Sequence, residues 1–313
     1  MINNTLLVDR AKNIPLYLHA YAFHLNMRHE RMGPQDLLDI AHQQKLRGVK
    51  IHVEDGESQS LQAINDDELA SFKKKAEQYR LDVHIETSAS DKETLDDAIR
   101  IARATGATSV RFYPRYEGFL EDVLNKVAED IKYLSKFDGC GLTFTIEQHE
   151  DLKSHEIVAL VQNSGMKNLS ILFDFANMIN ANEDPIEALD IMAPYITQVH
   201  IKDARRIKDG EGWAHEACCT GKGDLPIREM LNKLLLLGRD HPQVISFGLE
   251  EEVDYYAPAF RFNNEGHNPW IPWRTASYSP LPDEDQIDRR LKLEKDDALA
   301  QITYVKKICN VIC

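Results

Sequence analysis

The chain has 313 residues, 43% of them hydrophobic and 28% charged, with 37 Lys and Arg against 51 Asp and Glu. That composition is ordinary for a soluble globular protein, while the net charge of −14 repels phosphate backbones and excludes nucleic acid as an expected partner. The N-terminus lacks a basic segment followed by a long apolar run, and no stretch is long enough to span a bilayer. Neither a signal peptide nor a membrane partner is therefore expected. The five cysteines Cys140, Cys218, Cys219, Cys309 and Cys313 are odd in number and show no disulfide or zinc-knuckle spacing, which points to reduced thiols and a cytoplasmic protein.

Short apolar runs alternate with longer amphipathic ones from end to end. The runs at 15–20, 48–53, 81–87 and 109–114 read as strands one to four. Those at 142–148, 169–175, 196–202 and 244–251 read as strands five to eight. All are rich in Val, Ile and Phe and nearly continuous in hydrophobicity, as strands covered on both faces are. Between them lie helical patterns. PQDLLDIAHQQKLRG opens on a proline and closes on Gly48, in keeping with helix start and stop signals. DDELASFKKKAEQYR places acids first and bases last, matching the helix dipole. DKETLDDAIRIARATG ends at a glycine, and five further patterns follow, the last near the C-terminus.

Eight strands alternating with eight helices predict a parallel α/β protein. The competing architectures are a closed (β/α)₈ TIM barrel and an open doubly wound sheet. A single barrel domain over 1–313 is favoured, since barrels of this type use about 250 residues and tolerate insertions. Two long loops, 203–224 and 252–284, are expected near the active-site face. The second carries Tyr255, Tyr256, Phe260, Phe262, Trp270, Trp273, Arg261 and Arg274. A structureless stretch of that length is uncommon unless functional, so it either caps the site or packs on a second subunit.

Four potential ligands stand where apolar strands end: Glu147, Asp174, His200 and Glu250. Equivalent strand ends of a closed barrel point at one spot, which an open sheet does not offer to four successive strands. Three carboxylates and an imidazole suit one divalent cation, Mn²⁺ or alternatively Mg²⁺ or Co²⁺. Glu250, Glu251 and Glu252 are consecutive. Strand alternation places Glu250 and Glu252 on one face and Glu251 on the other. Glu250, which follows the apolar run as Glu147 does, is the preferred fourth ligand. The same two-residue spacing groups His52 with Glu54 and His84 with Glu86, so His52, His84 and Glu86 are candidate substrate-pocket residues. Glu86 is also a candidate to orient a ligand, and His19 on strand one is a further pocket candidate. Lys202 shares a face with His200, and His149 with Glu147. Lys202 and Arg111 can hold a substrate oxygen or carboxylate.

The strings TIEQHEDL, FDFANMINANEDPIEALDIMAPYITQVHIKDA, CCTGKGDLPIREML and GLEEE resemble the xylose-isomerase-like TIM-barrel family of sugar isomerases and epimerases. The likeness covers about residues 140–251; the first half fits by alternation only. It implies one metal held by Glu147, Asp174, His200 and Glu250. Glu147 and Glu250 would double as acid and base, moving protons around a metal-stabilised enediolate of a small-molecule carbohydrate. It implies a homodimer or homotetramer. It also places Gly221 and Gly223 of GKGDLP in a tight turn close to substrate; the plain alternative is a helix-entry turn capped by Asp224. The IEQHEDL string and the aromatic loop are similar to the 3-oxo-isoapionate decarboxylase branch. The alternative reaction is thus a lyase, a decarboxylase or dehydratase acting on a 3-oxo sugar acid, with Lys202, His149 or an arginine holding the carboxylate. The distant relationship to endonuclease IV implies DNA repair, which the acidic surface and single ligand set disfavour.

Overall fold

The computed structural model describes residues 2–252, 255–273, 277–278 and 286–312. Eight parallel strands close into a barrel: β1 (Leu16–His19), β2 (Gly48–His52), β3 (Asp82–Glu86), β4 (Ser109–Phe112), β5 (Thr143–Glu147), β6 (Leu169–Asp174), β7 (Ile196–Ile201) and β8 (Ser246–Leu249). Each pairs with its neighbours in sequence, and β1 closes the ring against β8 through Leu16↔Phe247 and Leu18↔Leu249. All eight expected strands are present.

Alternation along each strand sends one set of side chains out to the helices and the other into the barrel. The outward set is apolar and fully buried, including Val49, Ile51, Ile85, Val110, Phe144, Ile146, Phe173 and Val199. The inward set is unusually polar: His19, Lys50, His84, Glu86, Ser109, Arg111, Thr145, Gln198, His200 and Ser246 are all buried. Barrel interiors are ordinarily packed with branched apolar side chains. A polar lumen has to satisfy its own charges, and the way it does so sets up the site described below.

The helices start and stop largely on local signals. Asn65 Oδ1 accepts N–H bonds from Asp67 and Glu68, and Glu68 Oε2 accepts one from the Asn65 N–H, a capping box. Gly106 ends the helix Lys92–Thr105 in the left-handed region at φ 72°. The first pattern departs from expectation. Its helix is Pro34–Gln43, Lys45 takes the left-handed turn at φ 54°, and Gly48 begins β2. Glycine is needed there for closeness: a Cβ at 48 would lie 2.2 Å from the carbonyl oxygen of Asp82. An N-terminal helix, Ile2–Lys12, is added to the eight. Its buried Arg10 donates to the carbonyls of Leu235, Leu237 and Gly238, satisfying orphan carbonyls at the end of the helix Ile227–Leu235.

The two long loops are not structureless. Residues 203–218 form an antiparallel hairpin, Asp203–Asp209 with Gly212–Cys218. Tyr255–Ala257 pairs with the hairpin, and Ser277–Tyr278 pairs with that strand in turn. The sequence hid the hairpin because its exposed half, ARRIKDGEGW, is charged rather than alternating. The remaining loop is pinned by Arg261, whose guanidinium donates to both oxygens of Glu156 at 2.8 and 3.0 Å and to Glu265 at 3.0 Å. Trp270 pairs with Phe119 in a second small ribbon. Arg274 lies outside the described residues. Among the described residues Cys140, Cys218 and Cys219 are free thiols, and no helix is long and apolar enough to cross a membrane.

Candidate active site

A cavity of about 320 Å³ opens at the C-terminal ends of the strands. Glu147, His149, Lys202, Glu250, His52 and Arg111 line it, as does His19. Ligand atoms of Glu147, Asp174 and His200 lie within 4.8 Å of one another. Glu250 Oε2 is 3.6 Å from His200 Nδ1, and Glu147 Oε1 is 3.8 Å from it. The four strand-end residues are thus brought together.

Each of the four is anchored at one point and has a side-chain atom without a hydrogen bond. Asp174 Oδ1 accepts the backbone N–H groups of Ala176 and Asn177 at 2.8 and 2.9 Å, a local turn that leads into the 3-10 turn Asn177–Ile179. Asn177 Nδ2 in turn donates to Glu147 Oε1 at 3.1 Å. His200 Nε2 donates to Glu86 Oε1 at 3.0 Å, which fixes the tautomer and leaves Nδ1 as a lone-pair donor. Glu250 is held through its backbone N–H on Ile201 O at 3.0 Å. What remains are Glu147 Oε2, Asp174 Oδ2, His200 Nδ1 and Glu250 Oε2, all buried without a hydrogen bond. Arg111 Nε stands 3.1 Å from Glu147 Oε2, and Lys202 Nζ stands 3.3 and 3.5 Å from Asp174 Oδ2 and Glu250 Oε2. Two cations thus offset part of the charge, while His200 Nδ1 and three carboxylates still converge in a buried space that costs free energy to leave without hydrogen bonds. Hard oxygen donors with one imidazole fit a divalent cation such as Mn²⁺ or Mg²⁺.

Electrostatics agree with that fit. Burial, reinforced by the Asp174 and Glu250 carboxylates against the opposing pull of Arg111, holds the Glu147 carboxyl well above its usual range. Burial raises Glu250 to about 7 against the opposing charge of Lys202. Burial also keeps His200 neutral, well below the ordinary histidine value, the form that binds metal. Glu86 goes the other way. Burial works to raise it, but Arg111, His200 and His19 around it hold it as a carboxylate.

Two expected pocket residues sit elsewhere. Glu86 is fully buried one layer beneath the cavity, bonded to His19 Nε2 at 2.8 Å, to His200 and to Arg111. It orients the ring of His200 rather than facing substrate. His84 is two residues lower on β3, so it reaches the opposite end of the barrel, bonding Gln198 at 3.1 Å and stacking on Tyr17. The GKGDLP turn does not line the cavity either. Gly221 and Gly223 donate their N–H groups to Asp203 Oδ2 at 2.8 and 2.9 Å, and a Cβ at 223 would collide with that carboxylate. Asp224 is no helix cap: its Oδ2 accepts from Arg206 N at 3.0 Å.

Glu250 and Glu252 both face the cavity, whereas Glu251 turns away to accept from Thr220. Lys202 Nζ lies 3.3 Å from Asp174, 3.5 Å from Glu250 and 3.2 Å from Glu252. His149 stacks on Tyr113 with ring centroids 4.0 Å apart. Ser88 hydrogen bonds His52 Nε2 at 2.6 Å. Among the lining residues that escaped the sequence reading are Arg28, Arg115, Tyr113, Ser88 and Glu150. Glu150 had a signal of sorts within HEDL. It is buried with φ 73° and accepts from Tyr255 Oη at 2.5 Å, a conformation that costs a non-glycine residue on the order of 1–3 kcal/mol and clusters at functional sites.

The chain is 60% identical over 313 residues to the uncharacterized protein YihM of Escherichia coli (strain K12), covering 99% of this chain and 96% of that one. It is 28% identical over 93 residues to 3-oxo-isoapionate decarboxylase of Pectobacterium atrosepticum, 29% of this chain and 34% of the other. A xylose isomerase-like TIM barrel protein from Mycobacterium smegmatis, solved in complex with magnesium, superposes with a TM-score of 0.61 at 14% identity, covering 96% of this chain and 99% of that one. D-allulose 3-epimerase from Methylomonas sp. superposes with a TM-score of 0.61 at 12% identity, covering 94% and 98%. These two superpositions share the fold. The family profile described as xylose isomerase-like TIM barrel matches residues 38–262, and the chain belongs to that family.

Proposed function

We propose that this protein is a divalent-metal-dependent sugar isomerase or epimerase. The observation that carries the reading is the convergence of four buried acceptors without hydrogen bonds, on Glu147, Asp174, His200 and Glu250, at the floor of an open cavity. A cation bound by these residues would supply Lewis-acid polarisation of a substrate carbonyl. Glu147 on β5 and Glu250 after β8 then act as base and acid, one taking the proton α to the carbonyl and the other returning one. Return to the opposite face inverts the centre; transfer to the neighbouring carbon exchanges ketose and aldose. Lys202 and Arg111 hold substrate oxygens, while His52 and His149 form the wall. The family membership and the epimerase of like fold support the assignment. Mn²⁺ suits the oxygen-rich donor set with its single imidazole.

A lyase acting on a 3-oxo sugar acid is the second reading. It is favoured by the cations Arg28, Arg111, Arg115 and Lys202 around the same cavity, which suit a carboxylate, and by the similarity to the decarboxylase. Proton exchange followed by NMR in D₂O, with Mn²⁺-loaded protein and a panel of ketoses and 3-oxo sugar acids, separates the two. Exchange beside a ketose carbonyl, lost in Glu147→Gln, is the result expected. Metal-dependent CO₂ release from a 3-oxo acid without ketose exchange moves the assignment to the lyase.

A further inference from the structure

Lys202 occupies an unusual position. Its ammonium is buried and faces three carboxylates, Asp174, Glu250 and Glu252, at 3.2–3.5 Å. Two of these are the proposed ligands of the metal. The third, Glu252, is itself buried, and its Oε2 faces the Lys202 ammonium at 3.2 Å. Carboxylates shared between two positively charged centres are the arrangement of two-metal sites, whose ions stand about 3.5–4 Å apart.

We propose that Lys202 is a built-in second cation: its ammonium stands in a metal position formed by Asp174, Glu250 and Glu252, and so keeps the site mononuclear. The inference rests on the metal site of the proposed function and adds a role for two residues. Glu252 becomes the partner of the fixed ammonium and not a ligand of the catalytic ion. Asp174 and Glu250 become shared groups, each facing the metal position and the ammonium.

Removing Lys202 leaves this cluster one positive charge short, a deficit that a second ion would make good. Without Lys202, three carboxylates share a buried space with one positive charge fewer, and burying unpaired charge is strongly unfavourable. The Nζ–oxygen distances exceed the roughly 2.0–2.2 Å that Mg²⁺ or a similar ion requires. The carboxylates must close in by about 1 Å, a movement within reach of the two glutamate side chains. In Lys202→Met the place of the ammonium is vacated while most of the stem remains, and the ion would stand in that place.

The test counts metal, independently of activity. Wild-type protein, Lys202→Met, Lys202→Arg and the double variant Lys202→Met/Glu252→Gln are dialysed to equilibrium against Mn²⁺, checked for folding by circular dichroism, and measured by elemental analysis. One ion per chain is expected in the wild type, in Lys202→Arg and in the double variant, and two in Lys202→Met. In Lys202→Met the paramagnetic resonance spectrum should also show coupling between two Mn²⁺ ions. One ion in both the wild type and Lys202→Met overturns the inference while leaving the proposed function standing, and so do two ions in the wild type. No ion in the wild type overturns both. Should Lys202→Met fail to fold, Lys202→Gln, a shorter polar side chain without the charge, carries the same expectation.

Discussion

Glu86 shows how one buried side chain sets the chemistry of a neighbour. It accepts from both His19 and His200 and is tied to Arg111, while Lys50 Nζ lies 3.6 Å away. With the carboxylate fixed by cations, His200 must present its bare Nδ1 upward. Glu86→Gln keeps the shape but offers one acceptor where two are used, freeing the ring of either His19 or His200. Partners of this kind are worth about 10–100-fold in metal affinity. Calorimetric titration of Mn²⁺ should therefore show a loss of that size, and unchanged affinity would show that Glu86 does not orient the ligand. Gly248 belongs to the same arrangement. A Cβ there would lie 2.7 Å from Lys50 Cδ and 3.0 Å from His200 Cδ2, so a residue with no chemistry of its own makes room for two that have it.

At the scale of elements, the barrel delivers ligands by strand ends and closes them over with the segments after β7 and β8. Arg261 joins the second of these segments to the helix Ser154–Ser164 through Glu156. Both groups are buried. Arg261→Ala leaves Glu156 unpaired in the interior and should cost about 3–5 kcal/mol. Denaturant unfolding checks that figure, and limited proteolysis should cut first within 255–273. The strands were legible because apolar β-rich runs recur at one spacing, and the four ligands because a charged group ending such a run violates its surroundings. The hairpin at 203–218 was not legible, since its pairing follows from cross-strand register and not from an apolar pattern. Nor was the depth of a side chain along a strand. His52, His84 and Glu86 share a sequence motif but divide between the cavity wall, the far end of the barrel and the layer between them. Alternation fixes the face on which a residue lies and leaves its height to the stagger of the strands.

For the molecule as a whole, the site is a local cost set against a large apolar shell. The outward faces of the strands and the inner faces of the helices form one continuous core, whereas the upper lumen gathers Glu147, Asp174, Glu250 and Glu252 around Lys202 and Arg111. A ligand that binds only the folded state stabilises it by RT ln(1 + [L]/Kd), about 2.7 kcal/mol at one hundred times Kd. For a chain of this size that corresponds to a melting shift on the order of 5 °C. Chelation should lower the melting temperature of the wild type by that amount, and Mn²⁺ should restore it. Asp174→Asn is the informative comparison. Its Oδ1 can still accept from Ala176 and Asn177, so the turn survives, while the loss of one carboxylate eases the crowding that raises Glu147. The variant should therefore melt at nearly the same temperature with and without metal. If it responded to Mn²⁺ as strongly as the wild type, Asp174 would not be a ligand.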